Sequence, residues 1–466
     1  VKERISKKMK IAAIIWLMLC LTGVAGEPGR ERGGVSAKNI LTAQPLTLAD
    51  AVDITLRQNP SILKAQKDLE AAQGVVIQTR AIAVPKARVT GAYGAVESAD
   101  VDRATFNGIS FPFGNDQSWS SQLRVVQSLY EGGRIMSSLR VAKLTRAQSL
   151  LNYQTTVADA VQETQVAYYD VLLDEQQIKV QEASVELLKR ELTETTRRFN
   201  AGTVPRFNVL RAEVELANAQ PRLIRVRNAY RIAKNNLANV LGFNIPRDTF
   251  EDIPLTLSDK LLAEPLPVEL PGAITMALQR RSELGSLRKA EELRHEDIIN
   301  AQAGYKPSLQ AYGGYDAHSS LFSSDLTREA HGWIAGVQLN WDIFDGLRTR
   351  GRVIEARALH EKAGIELDET SRRIELEVRT AFSNFREAEE LLRSQEKVVE
   401  QGEEALRLAT ARSQAGSATQ LDVLGAQTAL TEARTTQVQA LHDYAVARAR
   451  LERATGANIP ASARTP

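Results

Sequence analysis

The chain has 466 residues and a mass of 51.3 kDa, enough for about two to four ordinary domains. Its 59 basic and 57 acidic residues leave a net charge of only +2, which excludes a protein that neutralises nucleic-acid phosphates with a basic excess. One cysteine excludes a disulfide framework or multi-cysteine metal site, and 5% aromatic content is thin for several compact cores.

The first segment reads as a sorting signal. Lys2, Arg4, Lys7, Lys8 and Lys10 form a basic start, Ile11 to Leu21 is apolar, and Thr22 to Gly26 supplies small residues for cleavage. The apolar run is too short to span a bilayer as a helix, so residues 1–26 are expected to be a signal peptide. Cys20 follows Leu17-Met18-Leu19, without the small residue that precedes a lipidated cysteine. Removing residues 1–26 takes five basic groups and one acidic group, so the remainder is slightly acidic. Residues 27–45 read as a polar N-terminal segment.

The rest is a tandem repeat. Leu48, Ala51, Pro85 and Tyr93 recur at Leu270, Ala273, Pro307 and Tyr315, an offset of 222. From Trp119 the offset is 214: Trp119, Tyr130, Gly132, Arg134, Ala201-Gly202, Val209-Leu210 and Gly242 meet Trp333, Phe344, Gly346, Arg348, Ala415-Gly416, Val423-Leu424 and Gly456. The boundaries expected are a first repeat over 46–242, a linker over 243–271, a second repeat over 272–456 and a tail over 457–466. Five prolines (246, 254, 265, 267 and 271) exclude continuous helix from the linker and predict an irregular patch on the outside of the helices.

Within the first repeat a strand hairpin is expected over 87–130, with Trp119, Leu123, Val125 and Leu129 on one face and Gln122, Arg124 and Ser128 on the other. The second repeat offers the same over 308–344, where Trp333, Ala335, Val337, Leu339, Trp341 and Ile343 alternate with more polar residues. Strands of about ten residues with tryptophans near their ends suit a membrane β-barrel with interfacial aromatic belts. Arg134 to Ala201 contains no glycine or proline, so it predicts a helix of roughly 100 Å. Val171, Ile178, Val185, Leu192 and Phe199 repeat every seven residues, as do Phe385, Leu392, Val399 and Leu406, a pattern for left-handed coiled-coil packing. Pro221 predicts a break or kink in the returning helix. Two hairpins give four strands per chain. Four strands cannot close a barrel in lipid, so several copies are required. Two copies would give a barrel filled by side chains, three a channel.

At this point the residues resemble the TolC-like outer-membrane efflux family, the outer membrane factors. Leu48-Ala49-Asp50-Ala51 running to Asn59-Pro60 is similar to that family's first helix and turn. Ala201-Gly202-Thr203 to Val209-Leu210, and Ala415-Gly416-Ser417 to Asp422-Val423-Leu424, are similar to its helix-hairpin tips, and Tyr130 to Arg134 and Phe344 to Arg348 to its strand ends. The likeness covers nearly all of the chain after residue 26. It implies a mainly α chain with a transmembrane β part. The assembly would be a homotrimer with a 12-stranded β-barrel in the outer membrane of a Gram-negative bacterium, continued by a 12-helix periplasmic α-barrel, with two structural repeats per chain. The function implied is the exit duct of a tripartite efflux or type I secretion system. A periplasmic adaptor and an inner-membrane pump of the resistance-nodulation-division, ABC or major facilitator type would open the tip. No nucleic acid or cofactor is implied.

The same resemblance supplies site residues. Asp422, Asn208 and Arg206 are candidates for the periplasmic aperture. Ala201, Gly202, Thr203, Ala415, Gly416 and Ser417 are candidates for adaptor contact, and Trp119, Tyr130, Trp333, Trp341 and Phe344 for the membrane aromatic belt. Thr419 and Asp422 also form a T-x-x-D helix start, so capping is an equal reading of Asp422. The family's tyrosine and arginine gate positions hold Ser413 and Ala418, so a different latch is expected, with Arg206 as a candidate. An enzyme is not expected: five scattered histidines lack metal-ligand spacing, and no phosphate loop or nucleophile elbow occurs. The alternative left open is a periplasmic coiled-coil adaptor, which should carry one helical hairpin and soluble β domains.

Overall fold

The computed structural model describes residues 45–97, 101, 103–112, 115–243, 253–320 and 326–458. The expected signal peptide with Cys20, the polar segment before Pro45, the linker's Pro246 and the tail beyond Asn458 lie outside these residues.

The first repeat opens with α1 (Leu48–Gln58) and α2 (Pro60–Arg80). Thr47 starts α1: its hydroxyl accepts from the Asp50 amide at 3.1 Å, and Asp50 reaches back to the Thr47 amide. Asn59 starts α2, its Oδ1 accepting from the Ser61 and Ile62 amides, while Pro60 stands where a helix needs no N–H. Strands β1 (Lys86–Ala95), β2 (Arg103–Phe106), β3 (Ile109–Pro112) and β4 (Gln117–Glu131) follow, then α3 (Arg134–Asn200) and α4 (Arg206–Val240). The second repeat comprises α5 (Leu270–Arg280), α6 (Ser282–Gln302), β5 (Ser308–Ser319), β6 (Glu329–Asn340), α7 (Arg348–Gln414) and α8 (Gln420–Ala454). Each helix begins and ends at the position that the offset of 222 or 214 assigns to its counterpart. The long helices are 67 residues each and the returning helices 35 each.

Two expectations need correction. Alternation does not carry β6 to Phe344: the strand ends at Asn340, opposite Ser308, the first residue of β5, and Trp341 to Phe344 continue as irregular chain. Pro221 does not break α4, which runs through it; a proline removes only one amide donor, and the turns on either side retain theirs. The first hairpin is also more elaborate than expected, because β2 and β3 form a separate two-stranded ribbon between β1 and β4.

The main sheet has the antiparallel order β1-β4-β5-β6, so β4–β5 joins the two repeats and β1 and β6 are open edges. Its register pairs Val89 with Leu123, Leu123 with Tyr315, and Tyr315 with Trp333. With the two-residue period of strands, this aligns Val89, Tyr93, Leu123, Val125, Leu309, Tyr315, Trp333, Val337 and Leu339 on one face. The other face carries Arg88, Thr90, Gln122, Arg124, Gln310, Asp316 and Gln338. A bulge between Ser128 and Tyr130 resets this parity. Tyr130 therefore sits opposite Leu309 with the apolar set, and Leu129 is the extra residue.

Among the described residues no helix is long and apolar enough to cross a membrane. Heptad packing buries Val171 and Val185 in α3 and Phe385 and Leu392 in α7, while Leu192, Phe199, Val399 and Leu406 are less buried toward the far ends. Phe385, Leu392, Tyr444 and Leu451 fill the α7–α8 seam, and Ile62, Tyr153, Val157 and Val161 fill the α2–α3 seam.

The linker is not merely an outer patch. Leu46 and Leu257 form a parallel bridge, and Ile253, Leu255 and Leu261 are buried. The Tyr168 hydroxyl donates to the Leu46 carbonyl and to Asp259, Lys234 donates to the Ile253 carbonyl, and Tyr444 to that of Glu264. These bonds satisfy backbone groups that prolines and irregular chain leave without helical partners.

Candidate functional site

The two helical hairpins turn through matching tips. Gly202 and Gly416 have φ of +74° and +77°, a left-handed conformation that ends α3 and α7 without a Cβ penalty. The Arg198 carbonyl accepts from the Thr203 amide and hydroxyl; the Arg412 carbonyl accepts from the Ser417 amide and hydroxyl. Ala201, Gly202, Thr203, Ala415, Gly416 and Ser417 are all exposed.

The tips lie together. Gln420 at the start of α8 donates to Thr195 in α3 at 2.6 Å, and one groove is lined by Thr203, Pro205 and Asn208 from the first tip and Ser413, Gly416 and Thr419 from the second. Among the sequence candidates the fold therefore gathers Thr203, Asn208 and Gly416. Arg206 and Asp422 are exposed and outside this groove.

Asp422 caps its helix. Its Oδ2 accepts from the Thr419 amide and hydroxyl, both at 2.8 Å, and the Thr419 hydroxyl accepts from the Asp422 amide. The Thr419 hydroxyl, then its amide, hold the carboxyl below the usual aspartate range, so a full negative charge stays at the α8 N-terminus. The first tip lacks this device: Pro205 precedes α4 and offers no side-chain cap.

At the sheet, Trp119 is half-buried, its indole N–H donating to the Leu326 carbonyl at 3.1 Å. Trp333 and Phe344 are each 79% exposed, and Tyr130 and Trp341 are also exposed. The Trp341 indole donates to the Tyr305 carbonyl. Tyr130, Trp341 and Phe344 stand at the helix-proximal end of the sheet, and Trp119 and Trp333 farther out. On the polar face, Arg124 lies 4.5 Å from the Tyr312 ring centre.

Two polar clusters escaped sequence reasoning. His442 on α8 contacts Asp170 on α3 at 2.7 Å and Asp443 at 3.0 Å. Burial works against its protonation, but bonds to Asp170 and then Asp443 outweigh it, and the imidazole pKa is raised. Nearby Asp174 is pushed up to about 6 by burial and by the Asp170 charge. In the second cluster, buried Arg281 meets Glu283 and Glu377, and buried Arg453 meets Glu283 and Asp159. Burial raises the Glu283 pKa, but Arg453 and Arg281 outweigh this and hold it low. The available signal was the repeat itself: these charges stand where the first repeat has Asn228, Asn59, Ser61 and Asn239.

A membrane-length sheet with one apolar face and two open edges, continued by two long coiled helical hairpins, is the architecture of an outer-membrane channel protein. The sequence profile described as "Outer membrane efflux protein" matches residues 51–243 and 273–457, and the chain belongs to that family. It is 24% identical over 408 residues to the outer membrane protein TolC of Escherichia coli, covering 85% of this chain and 80% of the relative. It is 25% identical over 412 residues to the alkaline protease secretion protein AprF of Pseudomonas aeruginosa, covering 87% and 83%. The fold is similar to that of the open-state outer membrane channel MtrE of Neisseria gonorrhoeae, with a TM-score of 0.73 at 19% identity over 88% of this chain and 89% of that one. The protein is accordingly an outer-membrane exit duct that extends into the periplasm, which sets aside the adaptor alternative.

Proposed function

We propose that this chain is one third of a passive duct, working with an inner-membrane pump and a periplasmic adaptor in tripartite efflux or type I secretion. The observation that carries the proposal is the four-stranded sheet with both edges open and one face apolar. Open strand edges in lipid leave backbone groups without partners, so copies must close on one another, and three give a twelve-stranded barrel wide enough to conduct. Each repeat, 46–242 and 272–456, supplies one hairpin to that barrel and one helical hairpin to a twelve-helix tunnel. The apolar face meets lipid, with Trp119, Tyr130, Trp333, Trp341 and Phe344 as aromatic belt residues. The polar face with Arg88, Arg124 and Asp316 lines water.

The tips form the periplasmic aperture. Three copies of Asp422, with Asn208 and Arg206, ring the narrow entrance; the capping geometry supports this role by keeping the aspartate ionised. The exposed glycine turns at Gly202 and Gly416 offer small-residue surfaces to the adaptor. The pump selects cargo, so the duct needs no specific pocket.

Planar-bilayer conductance of the purified protein tests the reading. Channels with a mass of three chains and a cation preference that falls in Asp422→Ala are expected. Unchanged conductance and selectivity in that variant would remove Asp422 from the aperture. Gly202→Trp combined with Gly416→Trp should abolish export and leave the trimer intact; normal export would move adaptor contact elsewhere.

A further inference from the structure

We infer that His295 and His360, with the Glu291 carboxylate, form a site for a first-row divalent transition cation such as Zn2+, which ties α6 to α7. The two histidines are far apart in sequence and show no ligand spacing there; the fold brings them together across the α6–α7 seam. Their ring centres lie 5.7 Å apart, with the ring planes at 74°. Two imidazole nitrogens bound to one tetrahedral Zn2+ at about 2.0–2.1 Å put their ring centres roughly 5–6 Å apart. The seam therefore already holds both rings at the separation that a shared cation requires. Imidazole suits Zn2+, Cu2+ and Ni2+, whereas Mg2+ takes oxygen ligands.

Glu291 supplies the third ligand. It stands one turn before His295 on α6, and Gly364 stands one turn after His360 on α7, so each pair shares a helix face. The Glu291 Oε1 lies 3.8 Å from the place that a Cβ on Gly364 would take. No side chain at that position separates the carboxylate from His360. Among the described residues no three His, Cys, Asp or Glu side chains already converge on one point, so a rotation of Glu291 toward the imidazoles completes the site. The carboxylate is free to make it. Neighbouring Lys289, Arg294 and Lys362 pair with Glu292, Asp297 and Glu366, and Glu291 has no ion-pair partner among the described residues. His295 is exposed, and His360 and Glu291 are half-buried, which leaves the ion a path in and room for water as a fourth ligand.

Packing alone does not ask for these residues. The equivalent seam of the first repeat, α2–α3, has Gln73 and Arg146 at the histidine positions. It has Leu69 and Leu150 at those of Glu291 and Gly364. Both seams form, so the helices pack without imidazoles. Where the first repeat has two leucines, the second has a carboxylate and an open position beside two histidines, and each difference favours a cation. His295 lies within two turns of the end of α6 at Gln302, just before β5, so a cation here pins the helical wall close to its junction with the sheet.

Calorimetric titration of the full chain in detergent, prepared without a histidine tag and stripped with EDTA, tests the site. One Zn2+ per chain is expected, and no Mg2+. His295→Gln, His360→Gln and Glu291→Gln should each weaken Zn2+ binding by at least about tenfold, since even groups outside a metal's own ligand set are typically worth that much. One equivalent of Cu2+ on the wild type should show paramagnetic-resonance coupling to two imidazole nitrogens, and to one in each histidine variant. Zn2+ should also raise the unfolding temperature of the wild type, because it binds the folded state. His295→Gln should lose that rise and keep the metal-free midpoint. A wild type that binds no Zn2+, histidine variants of equal affinity, or a Cu2+ signal without two nitrogens would overturn the site. Equal affinity in Glu291→Gln would remove the carboxylate from it.

Discussion

The two repeats have helices of the same length yet are fastened by different chemistry. At the joint between the two short helices, Asn59 of the first repeat donates its amide to the Val240 carbonyl at 2.7 Å. At the equivalent position of the second, the Arg281 guanidinium reaches the equivalent carbonyl, that of Ala454, at 3.3 Å. A neutral amide needs no counter-ion; a buried guanidinium does, and the second repeat surrounds it with Glu283 and Glu377 and adds Arg453. Geometry has been preserved through duplication while the chemistry holding it has not. The difference teaches that the second repeat's joint depends on charge and the first's does not.

The sharpest way to break this comparison is Glu283→Ala. It leaves Arg281 and Arg453 buried with one partner fewer each, and a loss of about 3 kcal/mol is expected, the low end for a broken buried pair because Glu377 and Asp159 remain. The matching Ser61→Ala should change stability by no more than about 0.5 kcal/mol. Urea denaturation in detergent measures both, and equal effects would dissolve the contrast. Since the Glu283 pKa is lowered in the fold, its contribution is present above the unfolded carboxylate value and is lost as pH falls through the folded value.

Asn59→Ala comes next. It removes the cap of α2 and the bond to Val240, and about 1–2 kcal/mol should be lost in the same measurement, with no dependence on salt. A salt-dependent loss would show that charge matters in the first repeat too.

A smaller effect tests the α3–α8 contact. The raised His442 pKa means that its contribution is fully present below the unfolded value of about 6.5 and is lost as pH rises through the folded value. Asp174, pushed up to about 6, acts with the same sign, since the fold favours its protonated form. Stability should therefore decline from mildly acid to mildly alkaline pH, and His442→Asn, which installs the residue type found at Asn228, should flatten that slope. An unchanged slope would assign it to other groups. The smallest effect is expected at the tips. Thr419→Ala should raise amide exchange in the first turn of α8 toward that already expected for α4, which has no side-chain cap, without moving the global transition.

Much of the fold was legible because it is local and repeated. The absence of glycine and proline from Arg134 to Asn200, and left-handed glycines at 202 and 416, fix the ends of the long helices through backbone sterics alone. Alternation marked the strands, but the bulge at Ser128–Tyr130 and the end of β6 depend on the neighbouring strand, which local pattern does not contain. At the tips the T-x-x-D spacing announced the Asp422 cap, whereas the groove joining Asn208 to Ser413 needed both hairpins in place.

The amino-acid sequence by itself determined the duplication, the length of the first long helix and the strand faces up to the bulge at Ser128–Tyr130, since each follows from spacing along one chain. Tertiary structure alone decided that His442 meets Asp170, that Arg453 meets Asp159, and that Tyr168 holds the linker. Those partners lie far apart in sequence, and only packing of the two repeats brings their charges and hydroxyls within hydrogen-bonding range.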